Sequence, residues 1–242
     1  MTSGGVEQRV DAMEPALAYP GLRSQPDDGE RGGIVLRALK RILRAQFGRP
    51  TGWVGTLVGR IMVRTPSNLD RIHWTLSLLD VKPTDRILEI GFGPGMAVEL
   101  LTRRVPGGFI AGIDHSDVMV RQASRRNAAA IRDGRVVLQV GSASNPPVFP
   151  EAFDTIFTIN SIHFWNEPQA CLAGLRRVLR PGGRIAVTLQ PRSHNATDET
   201  TRAIGEELVA TLERAGFSDC RLEMAPFKPV AVACALGVNR QP

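Results

Sequence analysis

The sequence predicts an α/β fold: a doubly wound, mostly parallel sheet of seven strands with an antiparallel terminal hairpin and an N-terminal helical cap. Three observations predict it. Residues 86–96, Arg-Ile-Leu-Glu-Ile-Gly-Phe-Gly-Pro-Gly-Met, run from a compact apolar strand through three glycines into a helix. After them, apolar runs of strand length alternate with amphipathic runs of helix length, as in a parallel sheet with helical crossovers. The last two strand-like runs, 219–224 and 230–236, lie too close together for a crossover, so they pair antiparallel.

Residues 1–30 are rich in Gly, Pro, Ser, Gln and Asp without periodicity and are read as a flexible tail. Glu7, Asp11 and Glu14 fall where a signal peptide would need an apolar core. No run in the chain approaches the roughly 18 apolar residues of a spanning helix. Cys171, Cys220 and Cys234 are widely spaced and form no Cys-x-x-Cys pair, so neither a disulfide framework nor a metal site is expected, and a cytoplasmic location is.

The basic charge is concentrated. Residues 31–64 hold eight basic side chains and no carboxylate. With a formal charge of +6 for the whole, the remainder is net −2. Within 34–47, Val35, Leu39, Ile42 and Leu43 share one helical face, and Arg37, Lys40, Arg41 and Arg44 the opposite one. Gly48, Pro50 and Gly52 break the chain before a second apolar helix over 53–63. Residues 31–80 are thus read as a helical cap. Three roles stay open for it: plain cover with a solvated basic face, a lid over an acceptor pocket, or a peripheral contact with a membrane surface. Ser67 is expected to cap a third helix ending near Asp80, with Asp70 as its partner.

Residues 81–242 are read as the catalytic domain. Ile87, Leu88 and Ile90 suit a strand buried on both faces. Gly91, Gly93 and Gly95 let the backbone turn sharply and let a ligand approach it. A second strand over 109–113 ends at Asp114, 19 residues after Gly95, where a carboxylate can accept bonds from ribose hydroxyls. Ser116 is expected to cap one helix running to about Ile131. Strands follow over 135–140 and 153–160, a helix over 168–179, a Pro181-Gly182-Gly183 turn into a strand over 184–189, and a long helix capped by Thr197 or Asp198.

The spacing separates two cofactor classes. A dinucleotide fingerprint needs glycine at the sixth position of Gly-x-Gly-x-x-Gly, and that position is Met96. Gly-x-Gly-x-Gly with Glu89 two residues upstream resembles the first motif of class I S-adenosylmethionine-dependent methyltransferases. Over residues 78–189 the chain is similar to their small-molecule members, methyltransferase type 11 and the ubiquinone/menaquinone C-methyltransferase group. The resemblance implies a Rossmann-like fold and S-adenosyl-L-methionine as cofactor. It also implies that Glu89 and the backbone of Gly91, Phe92, Gly93 and Gly95 surround the methionine moiety. Asp114 would then take the ribose, His115 and Met119 would lie by the adenine, and Ser142 and Ala143 would end the third strand beside it. The family usually carries an acidic residue where this chain has Ser142. Asn160 opens the segment Asn-Ser-Ile-His-Phe-Trp-Asn-Glu-Pro, which matches the family's stretch after the fourth strand.

His163 is the candidate general base, with a structural histidine as the equal alternative. Trp53, His73 and Trp165 are candidates for acceptor contact. Asn145-Pro146-Pro147 resembles the Asn-Pro-Pro-aromatic motif of amino-group methylating enzymes, but it precedes the fourth strand and is followed by Val148, so a stiff loop is expected. A hydride-transfer enzyme of the Tyr-x-x-x-Lys type is excluded, because the sole tyrosine, Tyr19, lies in the tail. A nucleic-acid acceptor is not expected, since the basic segment is amphipathic and poor in aromatics. The expected activity is methyl transfer to a small apolar or amphipathic acceptor, on oxygen in preference to carbon, with a non-catalytic cofactor-binding or membrane-docking protein, or a nucleic-acid methyltransferase, as the alternatives.

Overall fold

The computed structural model describes residues 66–240. Its elements in order are α1 (Pro66–Leu78), β1 (Arg86–Ile90), α2 (Met96–Arg104), β2 (Phe109–Asp114), α3 (Asp117–Arg126), α4 (Ala128–Arg132) and β3 (Val136–Val140). They continue with β4 (Phe153–Ile159), a single 3-10 turn (Ile162–Phe164), α5 (Pro168–Arg176), β5 (Leu179–Leu189), α6 (Asp198–Arg214), β6 (Ser218–Ala225) and β7 (Val232–Val238). The tail, the two helices expected over 34–63 and Trp53 lie outside the described residues.

The seven strands form one sheet in the order β3-β2-β1-β4-β5-β7-β6. All neighbours from β3 to β5 are parallel, and β7 runs antiparallel to both β5 and β6. The mostly parallel sheet with an antiparallel terminal hairpin, in which β7 alone is reversed, is therefore as the spacing predicts.

Each face of the sheet carries its own core. On one side Ile72 and Leu76 of α1, Met96, Val98 and Leu101 of α2 and Ala123 of α3 pack over Ile87, Ile110 and Phe157. On the other, Leu172 and Leu175 of α5 and Leu208 and Leu212 of α6 pack over Leu88, Ile113, Ile156 and Val187. Central strands covered on both faces need unbroken apolar sequence, and β4 is buried from Phe153 to Thr158.

Local expectations meet some corrections. Ser67 lies inside α1, which begins at Pro66, so it is not the cap; proline is well suited to a first helical turn. The helix expected to run from Ser116 to Ile131 is two helices broken at Asn127. Asn127 turns its buried side chain inward and donates to Gly95 O at 3.2 Å and Ala123 O at 2.9 Å. Pro181-Gly182-Gly183 forms an irregularity within β5, not a turn before it. Gly182 there has φ 76°, and Asn239 clamps the segment: its backbone bonds Gly182 and Gly183 while its side chain donates to Leu179 O at 2.6 Å. Thr197 caps α6 with a reciprocal Thr200 bond, as expected of that position.

Candidate active site

The site is built at the carboxyl ends of β1, β2, β4 and β5, the place where open α/β sheets bind ligands. After β1 the chain turns through Gly91, Gly93 and Gly95, all with positive φ (74°, 54° and 77°), a region that favours glycine. Two of the three are closed to any side chain. A Cβ on Gly91 would stand 2.2 Å from Ser161 Oγ, and one on Gly95 would stand 2.6 Å from Ala123 Cβ. A Cβ on Gly93 would meet nothing within 4 Å, so this glycine faces open space.

Asp114, buried at the end of β2, ties this turn to the next. Its Oδ2 accepts from Gly93 N at 2.8 Å and its Oδ1 from Ser116 N at 2.9 Å. Each oxygen keeps a lone pair for a further donor. Burial pushes the Asp114 carboxyl up, against the two backbone N–H bonds that pull it down.

Glu89 on β1 is 3% exposed, and its Oε2 is buried without a hydrogen-bond partner. Desolvation, and then the Asp114 charge, push its pKa up to about 8. Thr158 Oγ1 and Asn160 Nδ2 at the end of β4 are likewise buried and without partners. Asn160 adopts φ 53° and holds the next strand in line, accepting from Gln190 N at 2.8 Å.

The ring of His115 lies 6.4 Å from that of Phe164, whose other neighbour is His163 at 3.9 Å. Phe164 is 44% exposed, an unusual position for so apolar a ring. His163 keeps exposed surface; desolvation and then the Arg192 guanidinium push its pKa down. Neutral imidazole is therefore its form at neutral pH.

The structure thus brings Glu89, the glycine turn, Asp114, His115, Asn160 and His163 to one edge of the sheet. Ser142 is exposed beside β3 and Ala143 is buried. Three other expected residues, Phe92, Met119 and Trp165, are buried. The Phe92 ring is buried over Gly112 of β2, so only its backbone reaches the turn. The Met119 side chain is buried beneath α3. Trp165 is 8% exposed in the core, and its indole N–H donates to Ser161 Oγ at 3.2 Å, bracing the residue that lies against Gly91. His73 is exposed on α1 and bonds Arg104, at the last turn of α2, away from the strand ends. The buried stripe of α1 runs through Arg71, Ile72, Thr75 and Leu76 and continues to Leu79 just past its end, and His73 falls off it.

The sequence reading missed Thr158, Gln190 and Arg71. Arg71 was detectable in principle, since it sits on the same helical stripe as the apolar residues of α1.

Residues 88–187 match the family model described as a methyltransferase domain. The chain is 32% identical over 179 residues to the uncharacterized methyltransferase YdaC of Bacillus subtilis (strain 168), covering 74% of this chain and 96% of that one. The chain belongs to the class I S-adenosylmethionine-dependent methyltransferases. Other relatives match over shorter stretches. The chain is 30% identical to 27-O-demethylrifamycin SV methyltransferase of Amycolatopsis mediterranei (strain S699), over 56% of this chain and 51% of that one. It is 33% identical to the ubiquinone/menaquinone biosynthesis C-methyltransferase UbiE of Geotalea daltonii, over 43% and 45%. The chain thus spans about half the length of each of these two. Among solved structures, a SAM-dependent methyltransferase from Aquifex aeolicus superposes with TM-score 0.59 at 21% identity, over 73% of this chain and 94% of that one.

The cofactor of this methyltransferase is S-adenosyl-L-methionine, and the residues present fit it. The glycine turn offers a backbone cradle with an open side at Gly93. The unpartnered Glu89 Oε2 offers a carboxyl group to an ammonium, and Asp114 keeps acceptor capacity for a diol.

Proposed function

We propose that this methyltransferase acts on oxygen of a small amphipathic acceptor that carries an anionic group. The observation that carries the reading is the acceptor side of the crevice: exposed Phe164 beside neutral His163, with arginine in range. An apolar ring there favours an apolar body on the acceptor, and the guanidinium favours a negative charge. The relatives named above include one O- and one C-methyltransferase, so the atom methylated is what the experiment must decide.

When bound, the cofactor supplies a methyl group already activated by its sulfonium. The protein's work is then placement, and orientation alone can supply several kcal/mol of the acceleration. In this reading Gly91, Gly93 and Gly95 hold the methionine moiety, Glu89 faces its ammonium, and Asp114 accepts from the ribose hydroxyls. His115 and Ser142 border the adenine. A carboxylate acceptor needs no base. For a hydroxyl acceptor, His163 receives the proton at a ring nitrogen, which its lowered pKa keeps free at neutral pH. In this reading residues 81–242 are the methyltransferase domain, and of the cap expected over 31–80 only the part from Pro66 on lies among the described residues. The described part, α1, is tied to the sheet by Asn68, which reaches Met96 beside the glycine turn, and by Arg71, which reaches Gln190 beyond β5.

The test is incubation with methyl-labelled S-adenosylmethionine and a panel of amphipathic carboxylic acids, phenols and quinols. Label released from the product by mild alkali marks a methyl ester. Alkali-stable label on ring carbon overturns oxygen as the acceptor.

A further inference from the structure

The end of β4 carries a polar assembly that the sheet itself does not require. Asn160 stands there with φ 53°, a left-handed backbone that asparagine tolerates better than most side chains. Its backbone N donates to Thr188 O at 2.9 Å, and its side-chain Oδ1 accepts from Gln190 N at 2.8 Å. With the oxygen so engaged, the amide nitrogen is fixed as the other arm of the fork. That nitrogen, Nδ2, is buried and has no hydrogen-bond partner among the described residues. A buried donor left unmade costs about 1–3 kcal/mol, which an acceptor on a bound ligand would recover.

Gln190 is itself held from two sides. It is 5% exposed, and its Oε1 accepts from Arg71 Nη2 of α1 at 2.5 Å. Its Nε2 donates to Lys228 O at 3.2 Å and Val230 O at 2.6 Å, in the connection between β6 and β7. The hydroxyl pair Thr75–Thr188, 2.9 Å apart, pins α1 to β5 just before this point. The side chain of Gln190 thus fixes the backbone N–H that fixes Asn160.

We propose that Asn160 donates through Nδ2 to the carboxylate of the cofactor's methionine moiety, and that Gln190 is the positioning residue that aims it. This rests on the cofactor orientation given above, with Asp114 on the ribose. Place selects the methionine end. β1 lies between β2 and β4, and Asp114 closes β2, so the nucleoside extends to the β2 side and the amino-acid end to the β4 side. Ser161, the next residue after Asn160, lies against the first glycine of the turn, where a Cβ on Gly91 would stand 2.2 Å from its Oγ. Chemistry selects the carboxylate. Glu89 suits the ammonium, and the carboxylate on the same carbon needs donors. An amide NH2 only donates, and its bond to a carboxylate is charge-assisted.

Calorimetry on the full-length protein tests this by comparing S-adenosylhomocysteine with its decarboxylated analogue, 5′-S-(3-aminopropyl)-5′-thioadenosine, which keeps the ammonium. Asn160→Asp keeps the shape and the acceptor for Gln190 N, and replaces the donor by an oxygen. It is expected to weaken S-adenosylhomocysteine by about tenfold or more, the loss of one hydrogen bond to a charged group, and to spare the analogue. Gln190→Met keeps the length and removes the side-chain bonds. It is expected to weaken S-adenosylhomocysteine more than the analogue, and to add little to that difference in the Asn160→Asp background. A purely structural role would weaken both ligands alike. Unchanged S-adenosylhomocysteine binding in Asn160→Asp, or equal losses for the two ligands, overturns the carboxylate contact. A Gln190→Met difference that is as large with Asp at 160 as with Asn overturns the positioning role. Asp114→Ala separates the contact from the orientation it rests on. A selective loss in Asn160→Asp with unchanged affinity in Asp114→Ala leaves the contact standing and removes the ribose assignment. Weakened binding in Asp114→Ala beside equal losses in Asn160→Asp does the reverse.

Discussion

Glu89→Gln should make the ligand-free protein more stable and its ligand affinity worse. Glu89 is buried at 3% exposure, and its pKa rises from 4.5 to about 8 through desolvation and then the Asp114 charge. A carboxyl whose folded pKa lies above its unfolded value is held protonated by the fold. Between pH 4.5 and 8 the unfolded chain therefore binds fewer protons than the native state, and stability falls as pH rises. At pH 7 the unfolded carboxyl is ionised while the native one still holds its proton, so the penalty is about 3.4 kcal/mol at most, taken as about 2.5 pH units at 1.36 kcal/mol each. Glutamine keeps the shape and cannot ionise, and it also relieves Asp114. Urea titrations from pH 5 to pH 8 should show the wild type losing stability across that range. The variant should stay nearly level, with a gain at pH 7 of roughly 5–10 °C in Tm for a domain of this size. Isothermal titration with S-adenosylmethionine should show the opposite ranking. Below pH 8 the wild type must release a proton from Glu89 to meet the ammonium, so its Kd should climb by up to about tenfold per pH unit. Equal pH slopes for wild type and variant, in both stability and binding, would refute the assignment of a protonated Glu89 and its role toward the ammonium.

Three further outcomes are expected. Asp114→Ala should weaken S-adenosylmethionine binding by about 1.5–3 kcal/mol, the range for hydrogen bonds to a charged group; unchanged affinity by calorimetry would remove the ribose assignment. His163→Ala should leave that affinity intact and lower turnover on a hydroxyl acceptor, with loss of the acidic limb of the pH–rate profile; on a carboxylate acceptor turnover should hold. Asn239→Ala should cost about 2–4 kcal/mol in urea titration, since it strips partners from the carbonyls of Arg176, Leu179 and Arg180 at the edge of β5.

The parts of the molecule legible in the sequence are those governed by local chemistry. Ile87 to Ile90 could only be a buried strand, three glycines so close together could only be a turn, and an apolar run ending in Asp114 placed that carboxylate at the strand end. Thr197 and Ser116 announced their helices by capping. What was not legible depends on partners distant in sequence. Asn127 breaks a helix because Gly95, 32 residues earlier, presents a carbonyl to it. Trp165 is expected from the sequence to contact the acceptor, but Ser161 gives its indole N–H a bond inside the core. His73 and Arg71 differ by two positions, and only the packing of α1 onto the sheet decides which faces the crevice. The missed polar groups, Thr158 and Gln190, carry no motif; burial makes them notable.

The place of β7 has a consequence for how the chain is made. It is seventh in order yet lies between β5 and β6, bonded to both. During synthesis β5 emerges well before its partner on that side, and β6 has no strand partner until residues 232–238 appear. Over that interval β5 offers a long bare edge, apolar from Ile185 to Leu189 except for Thr188, of the kind that recruits strands from other chains. The helix α6, which emerges between them with its capped start and its row of buried leucines, can cover the face of the sheet but not this edge. A ribosome that stalls before Val232 therefore releases a protein whose methyl-transfer cradle is already encoded in full and whose sheet is open for aggregation.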